Sequence, residues 1–124
     1  MKIKIYRQVL AAIALITFAL SSYGAAGDSV STNGEVIKEI QIQNLAAGGS
    51  FTSAFYYFIS DGDWQAANCP GVKYAYIEAS APGAQAVVSA ALTSKTTNAP
   101  IKFSGICGNP SGNMEYIKIR HTYY

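Results

Sequence analysis

Residues 72–92 read VKYAYIEASAPGAQAVVSAAL, and the spacing of the apolar residues changes partway along. Over Val72–Ala79, Val72, Tyr74 and Tyr76 alternate with Lys73 and Ala75, which is the period of a strand. From Ala84 onward, Ala84, Val87, Val88, Ala91 and Leu92 recur at i, i+3, i+4, i+7 and i+8, which is one face of an amphipathic helix. Ser80 or Ala81 stands where a cap is needed, Pro82 falls in the first turn, and Asn98 and Pro100 stop the helix. So Ala-rich a face lets the helix lie close to a sheet.

Strands are expected on both sides of this unit. Upstream, Ile40 and Ile42 alternate with Glu39, Gln41 and Gln43, and Val36 shares their parity. Residues 35–43 therefore read as a half-buried strand with an inner row of Val36, Ile40 and Ile42. Asn44–Ser50 contains Ala46-Ala47-Gly48-Gly49, a turn or bulge. Phe51–Ser60 (FTSAFYYFIS) is apolar or aromatic on both parities, so it reads as a strand covered on both faces. Asp61–Gly71 (DGDWQAANCPG) has no period and reads as a loop. Downstream, Ile101–Cys107 and Met114–Tyr123 read as strands joined through the turn Gly108–Asn113. The order is three strands, a helix and two strands. It predicts a mainly β, α+β domain: a five-stranded OB-type barrel, partly open, with the helix between the third and fourth strands. An open antiparallel sheet with the helix packed on it is the competing layout.

The N-terminus has a different character. Lys2, Lys4 and Arg7 precede Val9–Leu20, an uncharged run of 12 residues, and Ser21-Ser22-Tyr23-Gly24-Ala25-Ala26 follows. A basic start, a short apolar run and a small-residue exit mark a secretory signal peptide. The run is shorter than the roughly 20 residues a spanning helix needs. Residues 1–26 are read as the signal, with cleavage after Ala26 or after Gly24. Residues 27–34 (GDSVSTNG) are read as a flexible leader, and 35–124 as one β-rich domain. The precursor's net charge of +2 does not survive this division. Three of its nine basic residues and none of its seven acidic ones lie in 1–26, leaving a net of −1. There is no basic patch to suggest nucleic acid. Export to an oxidising compartment, secreted or periplasmic, predicts that Cys69 and Cys107 pair with each other.

This layout resembles the B subunits of bacterial AB5 toxins, and most of all the subtilase-cytotoxin type. The likeness is carried by the helix Ala84–Thr97, by Ala99-Pro100-Ile101-Lys102-Phe103 entering the fourth strand, and by Cys107 and the final strand Met114–Tyr123. It covers most of the chain after the signal at the level of element order. Those B subunits form pentameric rings and bind cell-surface glycans, so the resemblance implies oligomerisation and sugar binding here. None of the family's glycan-contacting residues is carried over to a position in this chain.

Catalytic chemistry finds no support in the residues. The single histidine, His121, stands near the end of the last strand and reads as a strand-end residue. Asp61 and Asp63 fall in a turn-rich loop that lacks the further acids of a calcium site. The expectation is a non-enzymatic binding module without cofactor or metal. The aromatic residues are the compositional excess: 12 of 15 lie after residue 26. Phe51, Phe55 and Phe103 read as core. Trp64, beside Asp61, Asp63, Gln65 and Asn68, has two readings: a cap on the end of the barrel, or a flat surface for a sugar ring with hydrogen-bonding neighbours. Tyr56, Tyr74 and Tyr76 on adjacent strands would add an aromatic face, either for a ligand or for a second subunit. The predicted ligand-binding set is therefore Trp64, Asp61, Asp63, Asn68, Tyr56, Tyr74 and Tyr76. The function read from it is recognition of glycan or another exposed ligand, in a homo-oligomer. The alternative is a structural or interaction protein of the periplasm or envelope that acts through a partner protein.

Overall fold

The computed structural model describes residues 25–43 and 54–123. The apolar run Val9–Leu20, the turn at 44–50 and Phe51 lie outside them. Six strands and one helix follow in the order β1 (Ser29–Ser31), β2 (Ile37–Gln43), β3 (Phe55–Ser60), β4 (Tyr74–Glu78), α1 (Ala84–Thr97), β5 (Lys102–Cys107) and β6 (Tyr116–Tyr123). They form one mixed sheet in the order β1-β5-β6-β4-β3-β2. All neighbours are antiparallel except β4 and β6, which run parallel with α1 and β5 between them in the chain. Among the described residues no helix is long and apolar enough to cross a membrane.

The α+β class is as expected, but the sheet is open and six-stranded, not a closed five-stranded OB-type barrel. The extra strand comes from the stretch read as a flexible leader. Within 27–34, Ser29–Ser31 pairs with Ile106–Ser104 of β5. Val30 and Thr32 are buried, and Thr32 exchanges bonds with Phe103: its N–H donates to the Phe103 carbonyl at 2.8 Å and its hydroxyl accepts from the Phe103 N–H at 3.0 Å. The chain stays beside β5 as far as a bridge between Glu35 and Ile101, then leaves to pair with β3 as β2. The two edges of the sheet are thus held by one continuous run of chain. The open side of β1 is shielded by the loop 61–71, whose Trp64 carbonyl accepts from the Asn33 N–H at 3.2 Å.

A register shift between Ile37 and Glu39 also changes the inner row of β2. A bulged residue reverses the alternation, so Ile37 is buried where Val36 was expected. Ile40 packs against the core, whereas Ile42 is 66% exposed. The core lies between the sheet's inner face and α1. Its large members are Ile37, Phe58, Trp64, Phe103 and Ile117, with Ala84 and Ala91 of the helix. These alanines permit close approach, as the sequence implies, while Leu92 at the end of the same stripe is 49% exposed. The helix begins after Gly83, which has φ of +78° and supplies no side-chain cap, so neither Ser80 nor Ala81 fills that role. Buried Ser94 ties the helix to β2: its hydroxyl accepts from the Ile37 N–H at 3.3 Å and donates to the Ala99 carbonyl at 2.6 Å.

Candidate functional site

Cross-strand register decides which aromatics reach the surface. Tyr57 of β3 stands opposite Tyr76 of β4, Tyr74 of β4 stands beside Tyr116 of β6, and Gln43 of β2 stands opposite Phe55 of β3. These residues share the face of the sheet turned away from the helix. Phe58, Ala75 and Ile117 occupy the other parity and enter the core. The result is a platform of five rings, Phe55, Tyr57, Tyr74, Tyr76 and Tyr116, in which Tyr76 is buried (4% exposed) and the other four are half-buried. Tyr74 and Tyr116 stack with centroids 4.9 Å apart and planes 20° from parallel. Tyr57 meets Tyr74, Tyr76 and Tyr116 at 6.0–6.2 Å. Such offset and edge contacts favour a fixed array of rings over independent rotors.

Polar groups border the platform along β2. The Tyr57 hydroxyl donates to Gln43 Oε1 at 2.7 Å, and the Gln41 amide donates to Glu39 at 2.8 Å. Two shallow depressions share Gln43, Tyr57 and Tyr116. One, of about 530 Å³, reaches toward Gln41, Ile42 and Tyr74. The other, of about 230 Å³, reaches Phe55, Tyr76 and the turn Asn109–Ser111. That turn is held rigid by Asn109, whose side-chain oxygen accepts from the backbone N–H groups of Ser111 and Asn113 at 3.0 and 2.9 Å.

Burial raises the Tyr76 phenol above its ordinary 10.0, with the Tyr57 and Glu78 charges adding to the rise. Burial, then Tyr116, raises Tyr57 in the same direction. Both phenols are therefore neutral through the physiological range; Tyr57 presents its half-buried ring and hydroxyl without charge, while Tyr76 is buried within the array. Their contribution to stability is complete below pH 10, where the unfolded chain is also protonated. It is lost as pH climbs through the raised folded values, because the unfolded state ionises first. An absorbance titration at 295 nm should show two tyrosines ionising late, together with unfolding. Uniform ionisation of all tyrosines at the ordinary value in folded protein would contradict this.

The residues predicted from sequence do not form one site. Trp64 is 0% exposed. Its indole N–H donates to the Phe58 carbonyl at 3.0 Å and its ring meets Phe103 edge-on at 5.0 Å. It is the cap, and no face of it is open to a ligand. Asp61 and Asp63 are exposed, and Asp61 pairs with Lys38 at 3.3 Å. Tyr56 has the parity opposite to Tyr57 and turns toward the helix, where its hydroxyl accepts from the Gln85 amide at 3.2 Å. Asn68 borders a separate depression beside β1. Only Tyr74 and Tyr76 are on the platform. Sequence reasoning missed Phe55 (read as core), Tyr57, Tyr116, Gln41 and Gln43 as site residues. The parity sets containing Tyr57 and Tyr116 were legible, but not which strands they would adjoin.

Cys69 and Cys107 are bonded to each other, as expected. The bond fixes the loop 61–71 to the end of β5. Compared with protein-family models, with curated proteins and with solved structures, the chain matches none.

Proposed function

We propose that this protein is a non-catalytic binding module that recognises a glycan, or another exposed ligand with flat apolar faces, on the outer surface of β3, β4 and β6. The carrying observation is the five-ring platform bordered by Gln41, Gln43 and the Asn109 turn. A sugar presents an apolar C–H face to a ring and hydroxyls to flanking amides. A concave, mostly aromatic surface with a few placed polar groups suits that chemistry. OB-type domains bind ligands on their second and third strands. The second and third strands of the sequence reading are β3 and β4, two of the three strands that carry the platform. The resemblance to toxin B subunits adds the expectation of a ring-forming, exported protein.

Glycan-array binding by the oxidised protein tests this reading. Tyr57→Ala and Tyr116→Ala should each weaken a bound glycan at least tenfold, equivalent to about 1.4 kcal/mol, with circular dichroism unchanged. Binding that survives both substitutions would remove the platform from consideration. A second reading, an interaction protein of the periplasm or envelope, is favoured by Ile42, a large apolar side chain 66% exposed on the edge strand β2. An empty array and a monomer by light scattering would select it.

A further inference from the structure

The far end of the same outer face carries a third depression, of about 800 Å³, between β1, β5, β6 and the disulfide-anchored loop. Ser29, Ser31, Asn68, Ser104, Arg120 and His121 bring their polar groups to it. A bulge creates this grouping. On β6, Ile117 and Ile119 face the core and Lys118 faces out, so regular alternation would turn His121 inward behind Arg120. Instead the register steps from Gly105 opposite Ile119 to Ser104 opposite His121, and Arg120 is the extra residue. Arg120 and His121 thereby line one depression together. Gly105 permits the step: a Cβ there would lie 1.8 Å from the Lys118 carbonyl oxygen. Ser104 Oγ then sits 3.3 Å from His121 Nδ1.

The charge around this depression is one-sided. Of the six basic residues after position 26, Lys102, Lys118 and Arg120 stand on β5 and β6, and these two strands hold no acidic residue. Among the described residues the ion pairs are Lys38–Asp61 and Lys73–Glu115, so the Arg120 guanidinium is not engaged by a carboxylate. No Asp or Glu lines the depression.

We infer that this depression binds a tetrahedral oxyanion, the sulfate or phosphate group of a larger ligand. A guanidinium matches two oxygens of such a group. A carboxylate would be used up by that pair alone. A sulfate or phosphate ester offers a third oxygen, for which the serines and Asn68 that line the depression supply donor types. The depression is larger than the anion, so the group arrives attached to a carrier. This inference is independent of the aromatic platform and stands or falls separately.

An NMR titration of the oxidised protein with inorganic sulfate and inorganic phosphate, at constant ionic strength, tests it. Saturable shifts are expected at Ser29–Ser31, Ser104, Arg120 and His121, with the platform tyrosines unmoved. Arg120→Gln should weaken the titration at least tenfold and Ser104→Ala by a smaller factor, whereas Lys95→Gln on the helix should leave it unchanged. Shifts that fail to saturate, or that persist in Arg120→Gln, would overturn the inference. Sulfated, phosphorylated and unmodified saccharides then identify the carrier: tighter binding of a modified sugar than of its inorganic anion assigns a sugar ester, and equal binding assigns the free anion.

Discussion

Trp64→Ala is expected to destabilise the domain strongly, not to remove a contact from its surface. The indole is fully buried, its N–H is bonded to the Phe58 carbonyl and its ring packs on Phe103. Truncating a buried aromatic of this size costs about 3–5 kcal/mol from lost burial and the cavity left behind. A domain of this length is held by about 5–15 kcal/mol in total. The melting midpoint should therefore fall by on the order of 20 °C, with near-ultraviolet dichroism lost early. Trp64→Phe keeps the ring edge against Phe103 and should cost markedly less. A denaturant midpoint for Trp64→Ala within error of wild type would show that the side chain is not in the core. Weakened binding in this variant would report on the fold and not on a ligand contact, because no face of the indole is exposed.

Opening the Cys69–Cys107 bond should have an effect of similar size. The bond closes a loop across a sequence separation of 38. On the chain-entropy account, its loss adds about 4 kcal/mol of disorder to the unfolded ensemble. The native side also suffers. Cys69 is buried beside β6, and Cys107 ends β5 against Ile117, so the bond pins the loop 61–71 across the sheet end. That loop supplies Trp64 to the core and shields β1. The Cys69→Ser, Cys107→Ser double variant, or wild type under reductant, should unfold at a much lower urea concentration. The two should agree closely with each other. Midpoints unchanged by reduction would mean that the bond is absent in solution or that the reduced chain is equally constrained.

The legible parts of this fold are those where local spacing settles the matter. The helix at 84–97 follows from Ala84, Val87, Val88 and Ala91, and the cysteine pairing follows from having two cysteines in a chain whose sequence reads as exported. What was hidden depends on distant partners. Ser29-Val30-Ser31 has too few residues for a period to show. It is a strand because β5 lies alongside it. The bulges at Lys38 and Arg120 each reverse a parity, and Gly105 is the one residue that hints at the second. Tyr56 and Tyr57 are chemically the same and adjacent in sequence. Which of them faces away from the helix depends on where the helix packs, and no local pattern encodes that. Trp64 stood in a polar loop, so its neighbours suggested a wet site, but the loop folds back over the end of the core and takes the indole inside.

The division of one run of chain between both sheet edges has a consequence for the order of folding. The Phe103 N–H that reaches Thr32 crosses 71 positions of sequence. Contacts of such range are slow to form because loop entropy must be lost before they are rewarded. β2 and β3 can pair early, but β1 has no partner until β5 has been made, and β5 is completed on its far side by β6. Folding of the sheet therefore has to wait for β5 and β6. A nascent chain of this kind keeps β1 unpaired until both have been made.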